Sequence, residues 1–320
     1  MARWWLRLSW LLLWASPWAF AQDMGVQQWL ERLHNASSNR AFIGTYVLSA
    51  GSEMAASKIW HICDGQQQME KIESLTGAPR TTLRRNDEVM TFVSEARTVV
   101  KEKRDALRLF PDLNNAPGQQ IAAFYGVKVL GQDRVAGHDA DVVWFRPKDN
   151  LRFGYKVWAE RKTGLVVKLQ TLAPAGQVLE QVAFTELQLD APVKMDNLNR
   201  LMANTKGYQV VEPDVRQTTA DAQGWRLKAP VAGFAPVGCH VRSEPSAAGG
   251  VMQWVFSDGM AAVSLFVETF DPVRHTKDKS ASAGATHTLA SRVGDHWVTA
   301  MGEVPSETLR LFVSSLERKR

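Results

Sequence analysis

His61-Ile62-Cys63 sets two metal-binding side chains two residues apart, where a strand would turn both to one face. A zinc centre needs about four protein ligands, or three and a water, and no further His or Cys lies nearby in sequence. The pair is therefore read as strand. His138-Asp139-Ala140-Asp141 brings an imidazole beside two carboxylates, the ingredients of acid–base catalysis. Gly137 in front of them and their charged surroundings favour a turn. Ser257-Asp258-Gly259 offers a hydroxyl, but Asp-Gly between two apolar runs is first of all a hairpin tip. The chain has no G-x-S-x-G elbow, phosphate-binding loop, H-E-x-x-H or C-x-x-C, and its seven histidines are scattered. These residues predict no enzyme, no metal and no cofactor.

The two cysteines, Cys63 and Cys239, lie far apart in sequence. A bridge requires Cα atoms within about 7 Å, which sequence does not supply, and two separate buried thiols are the expectation. Arg3 and Arg7, the apolar Leu11-Leu12-Leu13-Trp14 and the small-x-small Ala19-Phe20-Ala21 form an export signal, with cleavage expected after Ala21. The formal charge of +5 falls by two when that leader goes, which does not suggest nucleic acid. Arg80, Arg84, Arg85, Arg97, Lys101, Lys103, Arg104 and Arg108 concentrate positive charge and read as a solvated face before a docking surface.

The supporting elements are mostly strands. Val26, Trp29, Leu30 and Leu33 recur at helical spacing behind Asp23, a candidate cap. Alternating runs follow, separated by Gly51-Ser52, Asp64-Gly65, Gly77-Ala78-Pro79 and Asn86-Asp87. The stretch from Arg104 to Tyr125 breaks into helix-like and loop pieces around Pro111 and Pro117. Strands resume and run through Phe153–Leu189, turned at Lys162-Thr163-Gly164 and Pro174-Ala175-Gly176. Hairpins without long intervening helices predict an antiparallel sheet, in a mainly β, α+β chain. "KMDNLNRLMANT" is helical, and "EPDVRQTTADAQG" reads as a polar inter-domain linker. A smaller domain starts near Trp225, with strand pairs turned at Asp258-Gly259 and Gly294-Asp295. Leu309, Phe312, Val313 and Leu316 form the stripe of its closing helix, before a solvated "LERKR". The expected division is 1–21 leader, 22–205 large domain, 206–222 linker and 223–320 small domain.

"RVAGHDADVVWFRPKDNLRFGYKVWAERKTGLVVKLQTLAPAGQVLEQVAFTELQL" resembles the RseB/MucB family of periplasmic regulators of the envelope-stress sigma factor, sigma-E. "FIGTYVLSAG", "LRRNDEV" and "FSDGMAAVSLFVE" support the resemblance, which covers nearly the whole chain after the leader. Glu160-Arg161 stands where Asp-Arg is commoner, and His61-Ile62-Cys63 is an unusual filling of its strand. The resemblance implies an unclosed antiparallel β-barrel around helices, like the lipoprotein carrier LolA, plus a smaller C-terminal α+β domain. It implies binding to the periplasmic region of an anti-sigma factor (RseA/MucA type), shielding it from site-1 proteolysis, with release by lipopolysaccharide or acyl lipid. A carrier of the LolA type is the alternative, and a homo-oligomer stays open. Trp29, Leu33, Trp60, Val89, Phe92, Trp144, Phe145 and Trp158 are the candidates for the lipid cleft, where sequence leaves core and cleft open. Trp254, Phe256, Asp258 and Phe266 are the candidates for partner contact.

Overall fold

The computed structural model describes residues 24–36, 40–103, 118–244 and 247–319. The expected cleavage after Ala21, the Asp23 cap and the irregular stretch up to residue 117 lie outside these residues. The first part of the chain runs α1 Val26–Asn35, β1 Ala41–Ala50, β2 Glu53–Cys63, β3 Gln68–Ser74, β4 Arg80–Arg85, β5 Glu88–Val93 and β6 Thr98–Lys103. It continues through α2 Gly118–Phe124, β7 Tyr125–Val135, β8 His138–Pro147, β9 Gly154–Glu160, β10 Val166–Leu172, β11 Val178–Leu189, α3 Met195–Ala203 and β12 Gln209–Val211.

These strands make one twelve-stranded sheet in the order β12-β6-β5-β4-β3-β2-β1-β11-β10-β9-β8-β7. Its two end strands are not paired to each other, so the barrel is unclosed, as the resemblance implied. Every pairing is antiparallel except β12 on β6. The backbone register shifts between Thr45 and Tyr46 and between Val166 and Lys168. Followed through those shifts, the pairings put Val143, Val157, Leu169, Val182, Ile59 and His61 on one face of the sheet. That face carries α1, whose Val26, Trp29, Leu30 and Leu33 pack on Val143, Phe145, Tyr155 and Val157. The α1 stripe is apolar at intervals of three and four, so burying it is what fixes the helix to the sheet. The opposite face carries α3, where Leu198 and Met202 cover Met69, Leu83, Met90 and Phe92.

The second part runs β13 Val215–Gln217, β14 Trp225–Leu227, β15 Ala235–Glu244, β16 Ala247–Ser257, β17 Ala262–Thr269, β18 Lys279–Ala283, β19 Thr286–Val293, β20 His296–Gly302, α4 Ser306–Ser315 and β21 Leu316–Arg318. Seven of its strands form a second sheet, β13-β15-β16-β17-β20-β19-β18. The α4 residues Leu309 and Phe312, with Leu316, are buried on Phe256, Val263, Leu265 and Val298.

Three sequence expectations are corrected here. The polar linker holds two short strands, Gln209–Val211 beside Thr98–Val100 and Val215–Gln217 beside His240–Arg242. Leu316–Arg318 is not a solvated end but pairs with Trp225–Leu227. His138–Asp141 opens β8, and the turn falls one step earlier, at Ala136-Gly137, both with positive φ. Cys63 and Cys239 are both free, with Cys239 buried and Cys63 half-buried.

Gly44 marks a close approach within the large sheet. A Cβ there would sit 2.5 Å from the Phe184 ring and 2.9 Å from the Glu186 carbonyl. Gly44→Ala should cost about 1–3 kcal/mol by overpacking, read as a lower urea midpoint at unchanged slope. An unshifted midpoint would show that Phe184 is free to move aside.

Candidate functional site

A fully buried charge joins the two sheets. Arg152, in the loop before β9, is wholly buried, and its Nη1 donates to Asp258 Oδ2 at 2.6 Å. Asp258 stands in the hairpin after β16. The Arg152 Nε donates to Asp149 Oδ1 at 3.0 Å and its Nη2 to the Ala232 carbonyl at 2.7 Å. A guanidinium cannot shed its proton, so burying it demands that these acceptors stay in place. Phe124, Tyr125 and Phe234 close around it, with their ring centres 4.5, 5.8 and 5.0 Å away. Asp258 is saturated in turn: its Oδ1 accepts the backbone N–H groups of Met260 and Ala261, and its Oδ2 also accepts the Tyr125 hydroxyl. Burial lifts the Tyr125 hydroxyl well above its usual range, with Tyr155 and Asp258 adding to it.

Around this pair the seam continues. Thr308 Oγ1 donates to the Leu151 carbonyl at 2.7 Å, and Met260 inserts into the cluster under α1. Gly233 has a φ of +83°, and a Cβ on it would lie 2.8 Å from Arg152 Nη2. Only glycine supplies both the backbone angle and the room.

The α1 face holds a second polar group. His61 Nδ1 lies 3.0 Å from Glu70 Oε1, with Arg84 Nη1 3.9 Å from the other carboxylate oxygen. The His61 ring stacks on Phe42 at 4.6 Å. Burial pushes the Glu70 carboxyl up, but the hydrogen bond and charge of His61, with Arg84 and Gln68 behind them, outweigh it and hold the group below the usual range. His61 is thereby spent on Glu70, and among the described residues no cluster of His, Cys, Asp and Glu is arranged to hold a metal.

The eight cleft candidates do not converge. Trp29, Leu33 and Phe145 meet in the cluster under α1, and Val89 lies on the same face of the sheet, paired to Arg84. All four are buried. Phe92 is on the opposite face beneath α3. Trp60 and Trp144 point away from α1, because each alternates with a residue that faces it, whereas Trp158 is buried in a separate cluster with Phe42, Ile59, Val142 and Phe184. Of the partner candidates, Phe256 and Asp258 are in the interior, one on α4 and one in the seam, so a bound partner cannot reach them. Trp254 and Phe266 are half-buried on opposite faces of the second sheet. Sequence reading missed Arg152 altogether, although it stands inside the most distinctive motif of the chain. Its partner is 106 residues away.

The described residues thus form a two-sheet scaffold fastened by a buried inter-sheet salt bridge. Residues 25–202 match the MucB/RseB N-terminal domain and residues 219–317 the MucB/RseB C-terminal domain. The chain belongs to the MucB/RseB family. It is 30% identical over 303 residues to the sigma factor AlgU regulatory protein MucB of Pseudomonas aeruginosa, covering 92% of both chains. It is 23% identical to the sigma-E factor regulatory protein RseB of Haemophilus influenzae, covering 98% of this chain and 96% of that one. Among solved structures it is similar to MucB in complex with MucA(peri), with a TM-score of 0.70 at 26% identity, over 92% of this chain and 99% of that one. A second complex, of Pseudomonas aeruginosa MucA and MucB, gives a TM-score of 0.72.

Two predictions follow from these buried charges. Asp258→Asn keeps the volume but removes the wholly buried one of the two carboxylates on Arg152, leaving Asp149, which should cost up to about 3–5 kcal/mol and speed proteolysis between the two sheets. Retention of both stability and protease resistance would remove the salt bridge as the fastener. Glu70 is depressed in the folded state, so its stabilisation is present above the ordinary glutamate range of about 4.3 and is lost as pH falls through the lower folded value. The stability gap between the wild type and Glu70→Gln should therefore shrink steadily from about pH 5 downward. A gap independent of pH would mean that the carboxylate charge contributes nothing.

Proposed function

We propose that this protein is a periplasmic negative regulator that binds the periplasmic region of a membrane-anchored anti-sigma factor. The observation that carries the reading is the likeness, across both modules, to a chain solved with MucA(peri) bound. Loss of the leader after Ala21 would deliver the protein to the periplasm, where residues 22–205 and 223–320 act as two domains joined by 206–222. In this reading the bound protein shields the anti-sigma factor from site-1 proteolysis, and lipopolysaccharide or acyl lipid releases it.

The structure constrains how such a signal enters. Trp29, Leu33, Val89 and Phe145 have almost no contact with solvent, so an acyl chain reaches them only if α1 or its covering shifts. Trp60, Trp144 and Phe92 lie on the other face of the sheet, and Trp158 is buried in a neighbouring cluster with Phe42, Ile59 and Phe184, which favours Trp29, Leu33, Val89 and Phe145 as the wall of such a cleft. A carrier of the LolA type needs the large sheet alone, and the buried seam that ties the second sheet to it lends that alternative no support.

The test is capture of the purified protein by the immobilised periplasmic segment of its anti-sigma factor, followed by challenge with the site-1 protease. A complex that slows cleavage, and that lipopolysaccharide fragments dissociate, is the expected result. Absence of a complex ends the proposal, and a complex indifferent to lipopolysaccharide removes the sensing half alone.

A further inference from the structure

The interior under α1 holds two hydrogen-bond donors with nothing to donate to. Trp29 Nε1 on α1 and the Tyr155 hydroxyl on β9 are buried, and neither has a hydrogen-bond partner among the described residues. Both residues are 2% exposed, and both belong to the cluster that packs α1 on β8 and β9. An indole N–H can only donate. Burial, with the charges of Glu303 and Asp258 behind it, pushes the Tyr155 hydroxyl well above its usual range. It therefore keeps its proton and stays a donor. Arg40, Trp144 and Asn199 also carry a buried atom without a partner, but they lie outside this cluster.

Comparable donors nearby are spent. The Tyr125 hydroxyl donates to Asp258 at 3.2 Å, and the Trp158 indole N–H donates to Asp133 at 2.8 Å. Burying a donor unpaired forfeits its hydration with no return, and buried polar groups in folded proteins are nearly always paired. Phenylalanine at 155 would fill the same space without that loss. The rest of the cluster is apolar apart from Tyr125. Two idle donors in such a setting point to an acceptor that comes from outside the chain.

We propose that the ligand taken up under α1 is an acyl chain in ester or amide linkage, whose carbonyl groups accept the Trp29 N–H and the Tyr155 O–H. The inference rests on the lipid-sensing reading above and sharpens it, because plain hydrocarbon would leave both donors idle. A neutral carbonyl fits better than the carboxylate of a free fatty acid. Glu303, Asp258 and Glu180 all act on the Tyr155 hydroxyl, and Arg152, the cation that opposes them, is committed to Asp258 and Asp149. A carbonyl also fits better than a water. A water accepting from these donors would bury its own two O–H groups among apolar side chains, whereas a carbonyl brings lone pairs and no donor.

The test compares two ligands that differ by one carbonyl: palmitoyl lysophosphatidylcholine and its hexadecyl ether analogue, each titrated into the purified protein below its micelle concentration. The ester should bind about tenfold more tightly than the ether, the worth of one or two buried neutral hydrogen bonds, and more tightly than palmitate. Tyr155→Phe should shrink the ester-to-ether ratio without lowering the unfolding midpoint of the ligand-free protein, since the hydroxyl has no bond there to lose. Trp29→Phe should shrink the ratio as well, and any packing it loses weakens both ligands and cancels. Trp144→Phe removes an idle indole N–H on the other face of the sheet and should keep the ratio. Equal affinity for ester and ether would overturn the inference while leaving the lipid reading in place. A ratio unchanged in both Tyr155→Phe and Trp29→Phe would overturn it too, as would tighter binding of palmitate. Binding of none of the three ligands would remove the lipid reading itself and this inference with it.

Discussion

The burial of Arg152 is the constraint on which the arrangement of the two sheets depends. A permanent positive charge without solvent contact is tolerable only with acceptors on several sides. The protein draws them from separate places: Asp149 beside it in sequence, the Ala232 carbonyl, and Asp258 from the hairpin of the second sheet. Each of those segments is held by its own geometry, Asp258 by two backbone N–H groups and the 232–233 turn by a glycine at positive φ. The relative placement of the sheets is thus determined by a charge that has nowhere else to go. The same chemistry makes the seam separable. Water can solvate both partners when the surfaces part, so opening a charged seam costs less than exposing an apolar one of equal area.

The two faces of the large sheet are put to different use, and the difference follows from what covers them. Under α1 the side chains are closed off and mostly apolar, apart from the His61, Glu70 and Arg84 group and the buried Trp29 Nε1 and Tyr155 hydroxyl, which have no hydrogen-bond partner among the described residues. The opposite face is covered by α3 only over β3 to β6. Beyond that cover, lysine and arginine side chains lie over the rings of Trp60 and Trp144, while Trp158 is buried among Val142, Leu165 and Val167 and donates to Asp133 of β7. A filled interior and a dressed exterior coexist on one sheet because residues alternate across it.

Much of this was legible in the residues themselves. The strand from Val178 to Leu189 and the hairpin around Asp258-Gly259 were plain from alternation and turn chemistry. The closing helix was plain from its stripe at Leu309, Phe312 and Leu316. The placement of Trp60, Trp144 and Trp158 was not legible, since it depends on register accumulated across many strands and altered at four irregularities. Nor was the fate of Asp258. Its sequence context describes a hairpin tip correctly, but whether that tip meets water or Arg152 is decided by a segment 106 residues upstream. The three-residue strands in the linker were invisible because period-two alternation needs four or more residues to register.

Those short strands bear on how the protein moves. The linker is not a loose tether. Gln209–Val211 is zipped to β6 and Val215–Gln217 to β15, leaving only Glu212-Pro213-Asp214 between them. Even these are held, Glu212 by Lys101 at 3.1 Å and Asp214 by the Ser243 hydroxyl at 2.6 Å. Rotation of one sheet against the other therefore has to break the Arg152 seam and peel away one of the two linker strands. The exposed linker contacts are worth about 0.5–1.5 kcal/mol per hydrogen bond, whereas opening the seam also exposes the apolar groups packed around it, Phe124, Phe234 and Met260. The seam, rather than the linker, sets the energy scale for separation, and a ligand that favours an opened form must discriminate chiefly at Arg152 and Asp258.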